Sequence, residues 1–286
     1  MSQGIVDEFL SLKADSDADL LAMQCGDFYE FFADDAETVS DELDLTVSQK
    51  SSHGSSYPMA GIPLSELTPY MKALVDRGYR VAVADQFQDE SGDHYREITR
   101  LITPGTLIET TDSEAQYLAA VVRADDAGDG DGNSNSDSGP YGLAFADITT
   151  GQFLVTEVDT AGEAHAELYR FDPAEVLPGP YVRTDDEFAR QLRERSNGSL
   201  TLFDTDAFAP GRSAHTVGTQ FGSETVDAIG LDSDLAVQAA GAVLAYVDET
   251  GVGVTQSMSR LQMYTADDHL TLDGTTQRNL ELVETM

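Results

Sequence analysis

Apolar residues along the first hundred positions recur with two different periods, and each change of period marks an element. Val6, Phe9, Leu10 and Leu12 predict a short leading helix, and the unbroken run Leu20-Leu21-Ala22-Met23 predicts a strand. Phe28, Phe31, Phe32, Ala36, Val39 and Leu43 fall at helical spacing and predict an amphipathic helix over residues 29–43. Asp27 before it, with Glu30 three residues on, has the form of an N-cap with a capping-box partner. Leu45-Thr46-Val47 reads as a strand. Leu67, Tyr70, Met71, Leu74 and Val75 form a helical stripe ended by Gly78, and residues 80–85 and 96–102 follow as strands. Strands and helices on short connections make a first α/β unit, residues 1–112.

A second unit, residues 115–230, opens with strand patterns at 117–122 and 141–147. Residues 124–140 between them are nearly all Asp, Gly, Ser and Asn, a flexible, solvated extension of a hairpin. Asp129, Asp131, Asn133, Asn135 and Asp137 alternate as in a calcium loop, but Ser134 and Pro140 stand where an EF-hand needs Gly and Glu. Thr150-Gly151 turns the chain into a strand at 152–156, and residues 168–171, 175–177 and 201–203 continue the α/β pattern. From Ser233 on, Leu235, Val237, Ala239, Ala240, Val243, Leu244 and Val247 predict a helix with a broad apolar face. It would start a third, helical unit over 233–286.

Charge changes this ordinary picture. Acidic residues outnumber basic ones 52 to 16, the net charge is −36, and Lys13, Lys50 and Lys72 are the only lysines. Apolar periodicity persists between the charges, so disorder does not explain them. A surface dense in Asp and Glu and poor in Lys suggests a halophile's protein, whose self-repulsion is screened by molar salt. One window departs from the trend. Residues 45–65 hold no Asp or Glu but carry Lys50, His53, Tyr57 and six serines.

Several chemistries find no footing. Cys25 is the sole cysteine, which excludes an intrachain disulfide and a cysteine zinc site. No apolar run approaches the ~18 residues of a membrane span, and no signal-peptide pattern opens the chain, so a cytoplasmic protein is expected. The lysines follow Leu12, Gln49 and Met71 rather than Gly, so no P-loop exists. His53, His94, His165, His215 and His269 show no metal-ligand spacing, and no Gly-x-Ser-x-Gly elbow occurs. No catalytic residue, metal or cofactor is expected in this chain.

Three motifs in order carry a resemblance. Gly26-Asp27-Phe28-Tyr29-Glu30, then Pro58-Met59-Ala60-Gly61-Ile62-Pro63, then Ile102-Thr103-Pro104-Gly105-Thr106 resemble the start of the MutS family of DNA mismatch-recognition proteins. Leu272-Asp273-Gly274-Thr275-Thr276-Gln277-Arg278-Asn279-Leu280-Glu281-Leu282 resembles that family's core-domain signature. The resemblance covers the whole chain but only about the first third of a family member. It implies a mixed α/β mismatch-binding domain at 1–112 and a ribonuclease H-like α/β connector domain at 115–230. The first helices of an α-helical core or lever domain would follow at 233–286. In the family, the Phe of Phe-x-Glu wedges beside a mispaired base and the Glu hydrogen-bonds to it; here these are Phe28 and Glu30. Cys25 stands where Met is common, a small change that leaves both untouched.

The implied partner is double-stranded DNA with mismatches or small loops. A homodimer through missing C-terminal parts, a MutL-type repair partner on the connector and a nucleoid-associated location are implied as well. The DNA-dependent ATPase, with its ATP and Mg, would belong to the full-length protein, so this fragment is not expected to be an enzyme.

An aromatic wedge unstacks and kinks a duplex at a cost of a few kcal/mol, less where pairing is already defective. Minor-groove edges of intact pairs present mostly acceptors, which repel an acceptor-only carboxylate. A displaced base can expose an imino N–H for Glu30 to accept; a protonated Glu30 could instead donate to a ring nitrogen. The acid-free window is expected to face phosphate, with Lys50, Ser51, Ser52 and His53 as backbone contacts. Two other readings stay open. One is a metal-dependent nuclease of ribonuclease H-like type centred on Asp147, which needs further carboxylates converging there. The other is a protein-interaction connector without DNA binding.

The charge yields a test. With net charge −36, removing molar salt should expand or unfold the chain by self-repulsion. Circular dichroism melts across a KCl titration check this; an unchanged melting temperature in dilute buffer excludes salt adaptation.

Overall fold

A computed structural model describes residues 4–52, 54–107, 116–124, 138–195, 198–224, 234–251 and 258–265. His53, residues 125–137 of the Asp-Gly-Ser-Asn segment and the 272–282 signature lie outside them. The chain divides into two units, residues 1–109 with 250–252, and residues 110–249 with 253–286.

The first unit runs α1 (Ile5–Ala14), β1 (Leu20–Cys25), β2 (Phe28–Phe32), α2 (Asp34–Leu43), β3 (Ser48–Ser52), β4 (Ser55–Pro63), α3 (Leu67–Val75), β5 (Val81–Gln88) and β6 (His94–Ile102). Its strands form one mixed sheet in the order β3-β4-β2-β1-β5-β6, with only β1 and β5 parallel. Helices α2 and α3 cover one face, where Ala36, Val39, Met71 and Leu74 pack on Tyr29, Phe31, Ile62 and Val83. Helix α1 covers part of the other, setting Val6 and Phe9 against Leu21, Met23, Phe32 and Ala84. The buried Asp35 carboxylate joins three elements, accepting from Leu21 N at 2.8 Å and from Lys13 Nζ at 2.9 Å. Burial raises its pKa, although the Lys13 ammonium works against the rise.

The helix expected over 29–43 is corrected: it begins at Asp34, and residues 28–32 are a strand. Phe31 and Phe32 are both fully buried but in opposite faces of the sheet. A strand covered on both sides loses the two-residue alternation, and its apolar run then mimics helical spacing. Asp27 is accordingly a turn residue and not an N-cap. The strand expected at 45–47 lies three residues further on, at β3.

The second unit comprises β7 (Tyr117–Arg123), β8 (Ser138–Asp147), β9 (Phe153–Thr160), α4 (Ala161–Phe171), β10 (Glu175–Pro178), α5 (Pro180–Arg183), α6 (Asp186–Arg195), β11 (Ser199–Leu200), α7 (Pro210–Phe221), α8 (Leu235–Glu249) and β12 (Leu261–Met263). Its sheet has the order β11-β10-β7-β8-β9-β12. An antiparallel meander β7-β8-β9 is thus extended beyond β7 by two parallel strands, a mixed sheet in keeping with the α/β pattern expected here. A true capping box starts α4, with Thr160 and Glu163 exchanging hydrogen bonds. Of residues 201–203, expected to continue the pattern, Thr201 still donates its N–H to the Val176 carbonyl at 3.0 Å, and residues 202–203 then lie outside any strand.

Helix α8 also departs from expectation. It does not open a separate helical unit: almost every residue from Leu235 to Val247 is buried within the second unit. Tyr246 Oη donates to the buried Glu175 carboxylate of β10 at 2.9 Å, and Thr201 donates to the same oxygen. Gly142 on β8 lets the helix come this close. A Cβ there would lie 2.1 Å from the Leu235 carbonyl carbon. Among the described residues, no helix is long and apolar enough to cross a membrane.

Gly142→Ala should therefore cost about 3 kcal/mol or more, the upper range for overpacking against backbone that cannot yield. Urea unfolding in molar KCl measures it, and an unshifted midpoint would mean α8 is not held against β8.

Candidate nucleic-acid interface

The Phe-x-Glu pair stands at a hairpin turn. Cys25 pairs with Phe28 across Gly26-Asp27, and Gly26 takes φ +63°. Glycine at the first central position suits the tight turns that match strand twist. The turn is held from both sides. Gly26 N donates to Gln86 Oε1 at 3.2 Å, and Leu64 N donates to the Asp27 carbonyl at 3.0 Å.

Strand alternation then sorts the motif. Tyr29 and Phe31 enter the core beneath α2 and α3, where Tyr29 Oη donates to Asp85 Oδ1 at 2.5 Å. Phe28 and Glu30 take the other face, beyond the reach of α1. Phe28 is 46% exposed, unlike the fully buried Phe31 and Phe32. Its β-strand neighbours are Cys25 and Pro63, and Glu30 stands opposite Met23 and Gly61. A Cβ on Gly61 would meet Phe28 Cδ1 at 3.7 Å and Glu30 Cγ at 3.9 Å. Gly61, central to Pro-Met-Ala-Gly-Ile-Pro, thus leaves a low floor between the aromatic ring and the acid.

Glu30 is mostly sunk in this floor, with 13% of its side chain exposed. Lys50 Nζ lies 3.8 Å from Glu30 Oε2, an ion pair longer than a hydrogen bond. Among the described residues, Oε2 has no hydrogen-bond partner. Burial first, and then the neighbouring Glu30 carboxylate, push the Cys25 thiol up to about 12. Cys25 is therefore held neutral beside the acid.

The acid-free window forms the β3–β4 hairpin and pairs directly with β2. Lys50 lies on the face of Phe28 and Glu30, while Ser51 is turned away from it, since neighbouring strand residues point to opposite faces. Ser51 is exposed on the opposite face of the hairpin from Phe28. Ser52 ends β3 opposite Ser55. Sequence reasoning missed Gln24, Gln86 and Arg96, which brace the turn from β1, β5 and β6. Only the parallel β1–β5 pairing, with about sixty residues between partners, brings them together.

Asp147 has a different task. It is 1% exposed and accepts from Thr149 N at 2.9 Å and from Thr150 Oγ1 at 2.5 Å, closing the β8–β9 turn. Among the described residues, no three His, Cys, Asp or Glu side chains gather as a metal site.

Two mixed α/β units, the first displaying an exposed aromatic and a recessed acid beside a hairpin turn, define the class of this chain. Residues 3–111 match the model of MutS domain I and residues 116–259 that of MutS domain II, so the chain belongs to the MutS family. It is 64% identical to DNA mismatch repair protein MutS 1 of Haloarcula marismortui, over 99% of this chain and 30% of that protein. It is 57% identical to DNA mismatch repair protein MutS 1 of Halobacterium salinarum, over 99% of this chain and 31% of that protein. MutS 2 of Halobacterium salinarum is 34% identical over 98% of the chain and 31% of its own length. The chain spans about a third of these relatives, and the acid-rich composition accords with their halophilic sources. The domain II match runs past α8, in keeping with the packing of that helix.

The raised Cys25 pKa gives a direct check. At pH ~9, where an ordinary thiol is largely ionised, Cys25 should still alkylate slowly. Its rate should climb until the pH nears about 12. A plateau in the iodoacetamide rate near pH ~9 would show a thiol exposed away from Glu30.

Proposed function

We propose that this chain is the mismatch-reading and connector part of a MutS protein acting in DNA mismatch repair, with Phe28 as the wedge and Glu30 as the acceptor for a displaced base. The observation that carries this reading is the half-exposed Phe28 on a hydrogen-bonded hairpin turn, two residues from a recessed carboxylate on the same face. A large aromatic at such a turn gains nothing for the core, and stacking on a base would cover it. Glu30, acceptor-only when ionised, is repelled by the acceptors of intact minor-groove edges and satisfied by an imino N–H of a displaced base. Repulsion from normal duplex and stacking on defective duplex act in the same direction.

Lys50 is proposed to lie near a phosphate, with Ser51, Ser52 and His53 offering uncharged contacts, because this hairpin lies in the longest acid-free run of the chain. ATP hydrolysis with Mg, dimerisation and a MutL-type partner are proposed for the full-length protein. The nuclease reading has no observation in its favour, since both Asp147 oxygens serve the β8–β9 turn.

Phe28→Ala decides the matter. Losing one base–aromatic stack should weaken mismatch binding by about 1–3 kcal/mol. Homoduplex binding should barely change, and stability should stay within about 0.5 kcal/mol because the ring is exposed. Anisotropy titrations in molar KCl, paired with thermal melts, make both measurements. An unchanged mismatch preference, or a variant that unfolds, would remove Phe28 from the role.

A further inference from the structure

The geometry points to Arg96 as the residue that positions the Phe28 turn, a proposal that rests on the wedge reading above. Arg96 lies on β6, three strands away from β2 in the sheet, and its side chain is only 10% exposed. Its guanidinium is used on every side. Nε donates to the Gln24 carbonyl at 2.9 Å, Nη2 to Gln86 Oε1 at 2.8 Å and Nη1 to Glu8 Oε2 at 2.9 Å. The backbone N–H of Arg96 donates to the other oxygen of Glu8 at 3.0 Å.

The Gln86 oxygen is the link to the turn. It accepts from Arg96 and also from Gly26 N at 3.2 Å, the first residue of the turn. Gln86 N in turn donates to Gln24 Oε1 at 2.9 Å. The chain just before Phe28 is therefore gripped at the Gln24 carbonyl by the guanidinium itself and at the Gly26 amide through the Gln86 oxygen that the guanidinium holds. A planar guanidinium can serve three acceptors in fixed directions, which a lysine ammonium on a flexible stem cannot.

The brace has a mechanical purpose. Driving an aromatic ring into a base stack costs a few kcal/mol, and the reaction force falls on the element that carries the ring. A two-residue turn free to yield would let Phe28 retreat; a turn held in place converts contact into unstacking. Glu8 neutralises Arg96 at 2.9 Å, so its guanidinium is committed inside the fold and is not offered to phosphate. That commitment separates this role from an ordinary basic DNA contact.

The test uses the 286-residue chain in molar KCl with Arg96→Gln and Arg96→Lys. In the free protein, amide exchange at Gly26 should speed up about tenfold, while amides in α2 and α3 stay unchanged. Mismatch preference should fall about tenfold, with homoduplex affinity and its salt slope unaltered. 2-Aminopurine beside the mismatch should lose the fluorescence of an unstacked base. Adding Phe28→Ala to Arg96→Gln should cost no more than Phe28→Ala alone, because both remove one act. Gln86→Leu, which deletes only the shared acceptor, should reproduce the exchange and preference changes, and it replaces Arg96→Gln if that variant does not fold. Unchanged exchange at Gly26, equal losses on mismatch and homoduplex, or additive losses would each overturn the assignment. If Phe28→Ala itself leaves mismatch preference intact, the wedge reading fails, whereas exchange at Gly26 still judges the brace.

Discussion

What the first unit can present to a ligand depends on the register of β2, and the two-residue turn at Gly26-Asp27 sets that register. A slip of one residue would exchange the faces, carrying Tyr29 and Phe31 to the surface and burying Phe28 and Glu30 under α2 and α3. Each buried aromatic contributes about 1.5–3 kcal/mol, so the core opposes the slip from below. The Gly26 and Leu64 hydrogen bonds oppose it at the turn. Phe28 is thus exposed because its neighbours are not. The same alternation that fills the core lifts one aromatic out of it.

Net charge sets the second constraint. Affinity driven by counterion release falls steeply as salt rises, and a chain carrying −36 has little of it to begin with. Two of its few cations are spent inside the first unit, Lys13 on Asp35 and Arg96 on Glu8. Lys50 is shared with Glu30. On the proposed reading, recognition must then rest on stacking, shape and neutral hydrogen bonds, which screening touches least. The β3–β4 hairpin is built for that: it lacks acids, adjoins β2 and is rich in serine.

Helices with an open face were legible in the sequence. The helix expected at 67–75 has those bounds in the structure, and the α1 stripe of Val6 and Phe9 packs as its spacing foretold. Residues 28–32 were not, because the sheet is covered on both sides and Phe31 and Phe32 serve different cores. Helix α8 misled in the opposite sense. Its apolar face reads as the start of a further unit, whereas Gly142 makes room for it on the second sheet and Glu175 accepts from its Tyr246. Motif order revealed the family, whereas the brace of Gln24, Gln86 and Arg96 exists only through long-range strand pairing.

The surroundings of Glu30 connect these constraints. A recessed carboxylate would ordinarily be satisfied by close donors, and leaving an acceptor unmatched costs about 1–3 kcal/mol. Here the nearest cation stops at 3.8 Å, the protonated Cys25 thiol is only a weak donor to the acid, and Gly61 supplies no side chain to cover it. Among the described residues, Glu30 Oε2, itself buried, therefore keeps an unfilled acceptor position, while Lys50 offsets the charge without occupying that position. A shorter bridge would stabilise the free protein and compete with any incoming N–H. A missing one would leave an uncompensated charge beside the core, at greater cost. The long ion pair lies between those limits, and it exists because β3 places Lys50 across β4 from Glu30 instead of next to it.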